Sequence, residues 1–166
     1  MTSSPEKYNR IKNWLIGYGK FVINEREDDN FHFSFLILPN KQEHDMIPLT
    51  VASLKGVYSG KECILVGVGW SVDKKSEVVN AVLKDPTKTR NLVSGLKQVI
   101  NSRKYSLKFM PDEQNISSIR ITRIYPIDWL DKDSLLKEIM NVWAQFGNIL
   151  NQFQKVSGMS NPSDYV

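Results

Sequence analysis

The hydrophobic residues of this chain change their spacing from segment to segment, and the order of these changes limits the fold more than any other feature. A helical stripe comes first, followed by strand-like alternation, a polar helical middle, two more strand-like segments and a long amphipathic helix. Elements in this order are typical of helices packed on an antiparallel sheet. The sequence therefore predicts an α+β fold, with an antiparallel sheet of five or six strands and helices at the N-terminus, in the middle and at the C-terminus.

The length and composition are those of one globular domain. The chain has 166 residues, of which 41% are hydrophobic and 24% are charged. A chain of this size buries about two-thirds of its unfolded surface, so it folds without disulfides or metals. No internal repeat or low-complexity linker divides it. We predict a single domain over residues 1–158 and a polar, mobile tail over residues 159–166.

The first helix is expected from Pro5 to Tyr18. Pro5 suits the first turn of a helix, because its missing N–H would have no partner there. A helix of this kind needs a surface that covers its apolar face. The residues on that face are Tyr8, Ile11, Leu15 and Tyr18.

Strand-like alternation follows the first helix. The charged residues 25–30 predict a hairpin loop after a first strand, and the next segment places alternate side chains on opposite faces of a sheet. Strand spacing returns around residues 47–51 and from Lys61 to Trp70. The first half therefore predicts an antiparallel meander of three or four strands. The aromatic face of its central strand contains Phe31, Phe33 and Phe35, with Ile37 after them.

The second half predicts further helices and two strands. A short helix after Asp73 should stop at Asp85, because the residue before a proline avoids helical geometry. A second helix is expected from Thr87 to Asn101, then strands around residues 105–109 and 119–124. The closing helix, from Asp131 to about Val156, has so broad an apolar arc that we expect it to be buried on two sides.

The residues that usually carry chemistry do not form a recognisable set. His32 and His44 are the only histidines, and no cysteine cluster accompanies them. A metal site with Glu43 or Asp45 is one interpretation of His44, but ordinary sheet and surface histidines fit better. Cys63 is the only cysteine, which excludes an internal disulfide. Its apolar neighbours favour a packed thiol over a reactive one.

Two glycine-containing segments resemble fragments of nucleotide-binding motifs. The run Gly67-Val68-Gly69-Trp70 lacks the third glycine of a dinucleotide fingerprint, and Trp70 stands where a pyrophosphate needs bare backbone. In Ser59-Gly60-Lys61-Glu62, a glutamate replaces the magnesium-binding serine or threonine of a phosphate loop. Strand ends and turns explain both segments. We therefore predict that the chain is not an enzyme and holds no cofactor or metal.

Charge is concentrated in the second half of the chain. The whole chain has 22 basic and 18 acidic residues, a net charge of +4. From Lys84 to Arg123 there are nine basic residues and three acidic ones, which gives about +6. Such a segment predicts either a solvated helix and sheet edge or a nucleic-acid-binding surface. The residues for the second alternative are Arg103, Lys104, Lys108, Arg120 and Arg123.

The order of elements also resembles a known class of proteins. With the aromatic strand Phe31–Phe35, Trp70 at a strand end and the closing helix, it is similar to type III secretion chaperones. In particular, it resembles an archaeal family of unknown function that has this chaperone-like fold. The resemblance spans about Pro5 to Val156. It implies a homodimer that binds extended segments of partner proteins, and it implies no particular site residues.

These observations together favour a non-catalytic binding module. We expect a homodimer whose apolar helix or sheet surface receives a protein or peptide partner, with nucleic-acid binding as the alternative. Four aromatic residues in the first and last helices are the expected anchors, and packing in the domain core is the other explanation for each: Trp14, Tyr18, Trp143 and Phe146. No segment approaches the roughly 20 apolar residues that cross a bilayer, and Met1–Arg10 is polar, so a cytoplasmic location is expected.

Overall fold

The computed structural model describes residues 5–19, 21–39, 47–55, 60–100 and 104–159. Within these ranges, four helices and six strands follow one another in the order αββββααββα. The helices are α1 (Pro5–Tyr18), α2 (Glu77–Leu83), α3 (Pro86–Val99) and α4 (Lys132–Ser157). The strands are β1 (Phe21–Arg26), β2 (Phe31–Pro39), β3 (Leu49–Leu54), β4 (Cys63–Ser71), β5 (Ser106–Pro111) and β6 (Ile116–Pro126). The predicted α+β class is confirmed. Of the predicted tail, only Met159 lies among the described residues.

The described strands form one sheet in the order β1-β2-β3-β4-β6-β5. Neighbouring strands from β1 to β4 pair antiparallel, as the predicted meander requires. The middle of the chain contains two helices, and they separate where the sequence places Asp85 before Pro86. The Asp85 carboxylate accepts hydrogen bonds from the backbone N–H of Thr87, at 2.9 Å, and of Lys88, at 3.3 Å. It thereby caps the first turn of α3.

Contacts between residues divide the chain into two compact units. Unit 1 comprises Met1–Val68 with Thr122–Trp143, and unit 2 comprises Gly69–Ile121 with Ala144–Val166. The strands β4 and β6 and the helix α4 contribute residues to both units. The single domain expected from the sequence stays a prediction.

In unit 1, helical side chains pack on one face of the sheet. The ring of Tyr8 in α1 lies 5.5 Å from that of Phe33 and 5.6 Å from that of Phe35, measured between centroids. The Trp143 ring in α4 lies 5.5 Å from Phe21. The strand register places Phe21 on the same face as Phe35. This face is therefore the helix-covered face of unit 1.

In unit 2, the second half of α4 packs against α3 and against the end of β4. The Trp70 ring lies 5.9 Å from Phe146 and 5.4 Å from Phe153. A Cβ atom on Gly95 would come within 2.6 Å of Oε1 of Gln152, so a glycine permits the close approach of α3 to α4 here. The buried hydroxyl of Thr89 donates to the backbone oxygen of Val82 at 2.9 Å, which joins α3 to α2.

The broad apolar arc of α4 is only partly buried. Six residues at helical spacing lie in the interior, while Met140 and Leu150 are exposed. The buried set contains Leu135, Ile139, Val142, Phe146, Ile149 and Phe153. The expected burial on two sides is thus not complete within this chain.

Candidate partner-binding surfaces

Two of the four predicted anchors lie inside their own units. Trp143 is 7% exposed, and its indole N–H donates to the backbone oxygen of Ile47 at 2.8 Å. Phe146 is 5% exposed and packs against Trp70. A buried indole N–H needs a partner, and Trp143 has one within unit 1. Core packing, the other explanation offered by the sequence, accounts for both side chains without a partner protein.

The other two predicted anchors, both in α1, are half-buried. The Arg10 guanidinium lies over the Trp14 ring, 5.5 Å from its centroid. The Tyr18 ring packs against Phe21 at 4.8 Å. Each ring therefore has a contact within unit 1 and some surface that reaches solvent. Their role in binding a partner stays a prediction.

Trp129, which is not among the four predicted anchors, has the most exposed large apolar side chain of the described residues, at 68%. It ends a short 3-10 helix, Ile127–Trp129, that follows β6 directly. Ile127 is buried, and its N–H donates to the backbone oxygen of Glu62 at 2.9 Å. The Lys61 ammonium lies 4.9 Å from the centre of the Trp129 ring. The indole is thus held at the surface on a fixed backbone.

A cavity of about 610 Å³ lies at the turn between β1 and β2, and we call it the hairpin cavity. It is present because the two strands separate early: the last pair between them is Arg26 with Ser34, whereas β2 already begins at Phe31. The register of β2 against β3 also shifts between Phe31 and Phe33. Phe31 therefore pairs with the turn and not with β1: its N–H donates to the backbone oxygen of Asp28 at 3.1 Å.

The lining of the hairpin cavity combines aromatic rings with carboxylates. The aromatic residues are Tyr8, Phe31 and Phe33, and the acidic residues are Glu25, Glu27, Asp28 and Asp29. Arg26, His32, Ser34 and Lys55 complete it. Four carboxylates face two permanent cations, so the cavity is acidic although the whole chain is basic.

Two of these carboxylates already have partners. Glu25 accepts hydrogen bonds from the Tyr8 hydroxyl and, at 2.6 Å, from the Lys12 ammonium. The bond from Lys12, followed by that from Tyr8, lowers the pKa of Glu25. The bond from Lys12 to Glu25, followed by that to Tyr8, raises the pKa of Lys12. Asp28 accepts from the backbone N–H of Asn30 at 2.8 Å. Among the described residues, Glu27 and Asp29 form no ion pair.

A second cavity, of about 790 Å³, lies in unit 2 between α3 and the loop that joins β5 to β6. Its lining is mixed: Leu83, Pro86, Thr89, Arg90, Val93 and residues 112–115. The loop is fixed by Asp112, whose carboxylate accepts from the backbone N–H of Asn115 and of Gln114. These bonds, that to Asn115 foremost, lower the pKa of Asp112. Asp112 is thus occupied by its own loop.

Comparison with known proteins identifies a family for this chain. Residues 7–153 match the family described as "Uncharacterized conserved protein (DUF2299)". The chain belongs to the DUF2299 family.

A crystal structure of an uncharacterised protein from Methanothermobacter thermautotrophicus is similar to this chain, with a TM-score of 0.73 and 20% sequence identity. The similarity covers 92% of this chain and 99% of that one. No curated protein matches the chain significantly. Membership of a family of unknown function is thus confirmed, the type III secretion chaperone-like fold stays a prediction, and the neighbour shows the same fold as this chain.

The basic residues of this DUF2299 chain are distributed over both units. Lys104, Lys108 and Arg120 are exposed in unit 2. Arg123 belongs to unit 1, where its guanidinium lies 3.3 Å from the Glu138 carboxylate and over the Tyr125 ring. Arg103 lies outside the described residues. Of the predicted nucleic-acid-binding set, Arg123 therefore has its charge matched by a carboxylate.

The side chains that could bind a metal are dispersed in the described part of the DUF2299 chain. In the ranges that the structure describes, no three His, Cys, Asp or Glu residues lie close enough together to hold a metal ion. His44 falls outside those ranges. Cys63 is buried, and its thiol lies 3.4 Å from the backbone oxygen of Lys61. None of the described helices combines the length and the apolar character needed to span a membrane.

Proposed function

We propose that this DUF2299 protein is a non-catalytic protein-binding module that acts as a homodimer and belongs to the type III secretion chaperone-like fold class. The observation that carries the proposal is Trp129, whose side chain is 68% exposed. Tryptophan is enriched among the few residues that dominate protein interfaces. Removing apolar surface from water contributes about 25 cal/mol per Å² to the free energy of association. An indole exposed to water is therefore a strong site for binding a partner.

The contacts that hold Trp129 in place support a role in binding. Its backbone follows the buried Ile127, which is tied to Glu62 in β4. The Lys61 ammonium over the ring restricts the indole further. An anchor that is ordered before binding loses little conformational entropy when a partner covers it. Trp129 meets that condition better than a side chain on a long loop.

Nucleic-acid binding is the second candidate function. Lys104, Lys108 and Arg120 are exposed within unit 2, and the stretch from Lys84 to Arg123 is basic. Exposed cations can neutralise phosphates, and such binding weakens steeply as salt is added. The pairing of Arg123 with Glu138 reduces the support for this function.

The test is the molar mass in solution, measured by light scattering at low and high salt for the wild type and for Trp129→Ala. We expect a dimer that persists at high salt and a shift of the variant toward monomer. Dimerisation should weaken by a factor of about thirty or more, since a hot-spot residue contributes about 2 kcal/mol and a homodimer contains Trp129 twice. Ile16→Ala is the matched control, because Ile16 is also exposed, at 55%, in unit 1.

Two outcomes would contradict the proposal. A wild-type monomer at every concentration would exclude the homodimer, and equal masses for Trp129→Ala and the wild type would exclude Trp129 as its anchor. A monomer that purifies with nucleic acid, and loses it at high salt, would favour the second candidate.

A further inference from the structure

We propose that two copies of this chain associate through the sheet face of unit 1 that lies opposite α1 and α4, which we call the open face. This inference rests on the proposed homodimer and adds the surface through which the dimer forms. Three features carry it: the apolar character of the open face, the lack of charge at its centre and its position beside Trp129.

Alternation along the strands separates the open face from the helix-covered face. In β1, Phe21 packs against Trp143 of α4, so the next side chain, that of Val22, lies on the open face. The strand register places Val22 beside Leu38 in β2. Leu36 lies two residues before Leu38 in the same strand and therefore shares its face.

The open face continues through β3 into β4 and β6. The register of β2 with β3, and of β3 with β4, carries it to Leu65. In β6, Arg123 and Tyr125 both donate to the Glu138 carboxylate of α4, so Ile124 between them lies on the open face. All these strand residues belong to unit 1.

The open face is apolar although α1 and α4 pack on the other side of the sheet. An uncovered face of an antiparallel sheet is ordinarily polar. In unit 2, the residues of β4 and β6 that alternate with packed ones follow this rule, since Ser71 and Arg120 are exposed. In unit 1, two of the aliphatic side chains are 42% exposed and three are half-buried. In that order they are Val22 and Ile124, then Leu36, Leu38 and Leu65. A contiguous patch of this kind marks an interaction surface.

The charge of the open face favours a second copy of this chain as its occupant. In a symmetric dimer the same patch meets itself, so a charge at its centre would meet a like charge. Beside the aliphatic residues, the strands place only uncharged ones at the centre, such as Thr50, Ala52 and Gly67. Arg26 lies at the end of β1, on the margin. Homodimer interfaces are more apolar than other interfaces, and nucleic acids or charged peptides would find no counter-charge here.

The open face adjoins Trp129, the anchor of the proposed dimer. The Glu62 carboxylate accepts a hydrogen bond from Lys7 in α1, which places the Glu62 side chain on the helix-covered side. Lys61, the preceding residue, therefore lies toward the open face. Its ammonium is 4.9 Å from the centre of the Trp129 ring. One interface can thus contain the aliphatic residues at its centre and Trp129 at its margin.

The size of the open face agrees with the centre of such an interface. Its five strands, β1 to β4 and β6, are adjacent in the sheet. Strand spacing and rise give a face of roughly 20 Å by 15 Å, or about 300 Å². A stable dimer buries about 800 Å² per partner, of which the centre is apolar and the rim is polar. Trp129 and the polar margin would supply the remaining area.

The experiment measures molar mass by light scattering over a series of protein concentrations for the wild type, Val22→Lys and Ile124→Lys. Each lysine should weaken dimerisation by a factor of about thirty or more, because the dimer contains it twice and an unpaired ammonium is costly to remove from water. Ile16→Lys is the matched control. Ile16 is exposed on α1, at 55%, and not on the sheet, so this variant should dimerise like the wild type.

The outcomes separate this inference from the proposed function. A dimer that Trp129→Ala weakens and that both sheet variants leave unchanged would retain the homodimer and overturn the open face as its interface. Equal weakening by Ile16→Lys would assign the effect to added charge in general and would also overturn it. A wild-type monomer at every concentration would exclude the homodimer itself.

A second substitution covers the case in which lysine disturbs the sheet. Ile124→Thr keeps a β-branched side chain and should weaken dimerisation in the same direction by a smaller factor. Urea denaturation verifies that each variant is folded. A folded Ile124→Thr variant that dimerises as strongly as the wild type would contradict a role for Ile124 in the interface.

Discussion

Tyr8, Lys12 and Glu25 form a hydrogen-bonded cluster that links α1 to the end of β1. The Lys12 ammonium donates to the Tyr8 hydroxyl at 3.2 Å and to Glu25 at 2.6 Å. The pKa of Glu25 falls and that of Lys12 rises, because the charged form of each residue is the one that the cluster binds. These three residues therefore make the stability of the protein depend on pH in both the acidic and the alkaline range.

We predict that Glu25→Gln is less stable than the wild type near neutral pH and that the difference disappears in acid. The contribution of Glu25 is present above its unfolded pKa, near 4.5, and is lost as the pH falls through the lower folded value. The contribution of Lys12 is complete below 10.5 and is lost as the pH rises through its higher folded value. Urea denaturation midpoints across this range measure the difference. A constant difference between Glu25→Gln and the wild type across this range would contradict the prediction.

Tryptophan residues show how far single side chains could be predicted from the sequence. Trp143 lies at helical spacing among buried residues of α4, and the structure buries it, so the alternative of core packing was available from the pattern. Trp129 fits neither the helical nor the strand spacing of apolar residues, because it follows a strand that ends at Pro126. That break in the pattern was the signal for an exposed residue. The bond between Ile127 and Glu62, which fixes the neighbouring backbone, joins residues far apart in the sequence and is not encoded locally.

Whole elements were predicted more completely than single side chains. The bounds of α1 agree with the prediction, since Pro5 at the start and apolar spacing up to Tyr18 are local signals. The break between α2 and α3 was also predicted, at Asp85 and Pro86. The hairpin cavity could not be predicted, because it depends on how far β1 pairs with β2 and on a shift in the register of β2 against β3. Both are relations between distant residues.

The start of α3 provides a prediction at the scale of elements. We expect Asp85→Ala to lower the free energy of unfolding by about 1 kcal/mol, because the backbone N–H groups of Thr87 and Lys88 lose their acceptor. Asp85→Asn keeps a side-chain oxygen at the cap, so its free energy of unfolding should fall much less. Urea denaturation of the three proteins measures both effects. Equal destabilisation by alanine and asparagine would show that charge, and not the cap, accounts for the role of Asp85.

At the scale of the whole molecule, the fold is retained at low sequence identity. The archaeal neighbour is similar over 99% of its own length, which supports the α+β architecture at only 20% sequence identity. A pattern of apolar spacing survives such divergence, because any large apolar residue can occupy a buried position. Binding specificity in proteins instead depends on a few charged and aromatic side chains at the surface. These can change without effect on the fold.

The relation between the two compact units gives the last prediction. Because β4, β6 and α4 each supply residues to both units, the unfolding of one unit shortens three elements of the other. We therefore expect one cooperative transition, as for a single domain of this size. Pulsed hydrogen exchange with mass spectrometry, along a series of urea concentrations, reports on each unit separately. Peptides from residues 21–39 in unit 1 and residues 86–99 in unit 2 should lose protection at the same urea concentration. Two separate midpoints would make the single-domain prediction wrong and place the boundary within β4, β6 and α4.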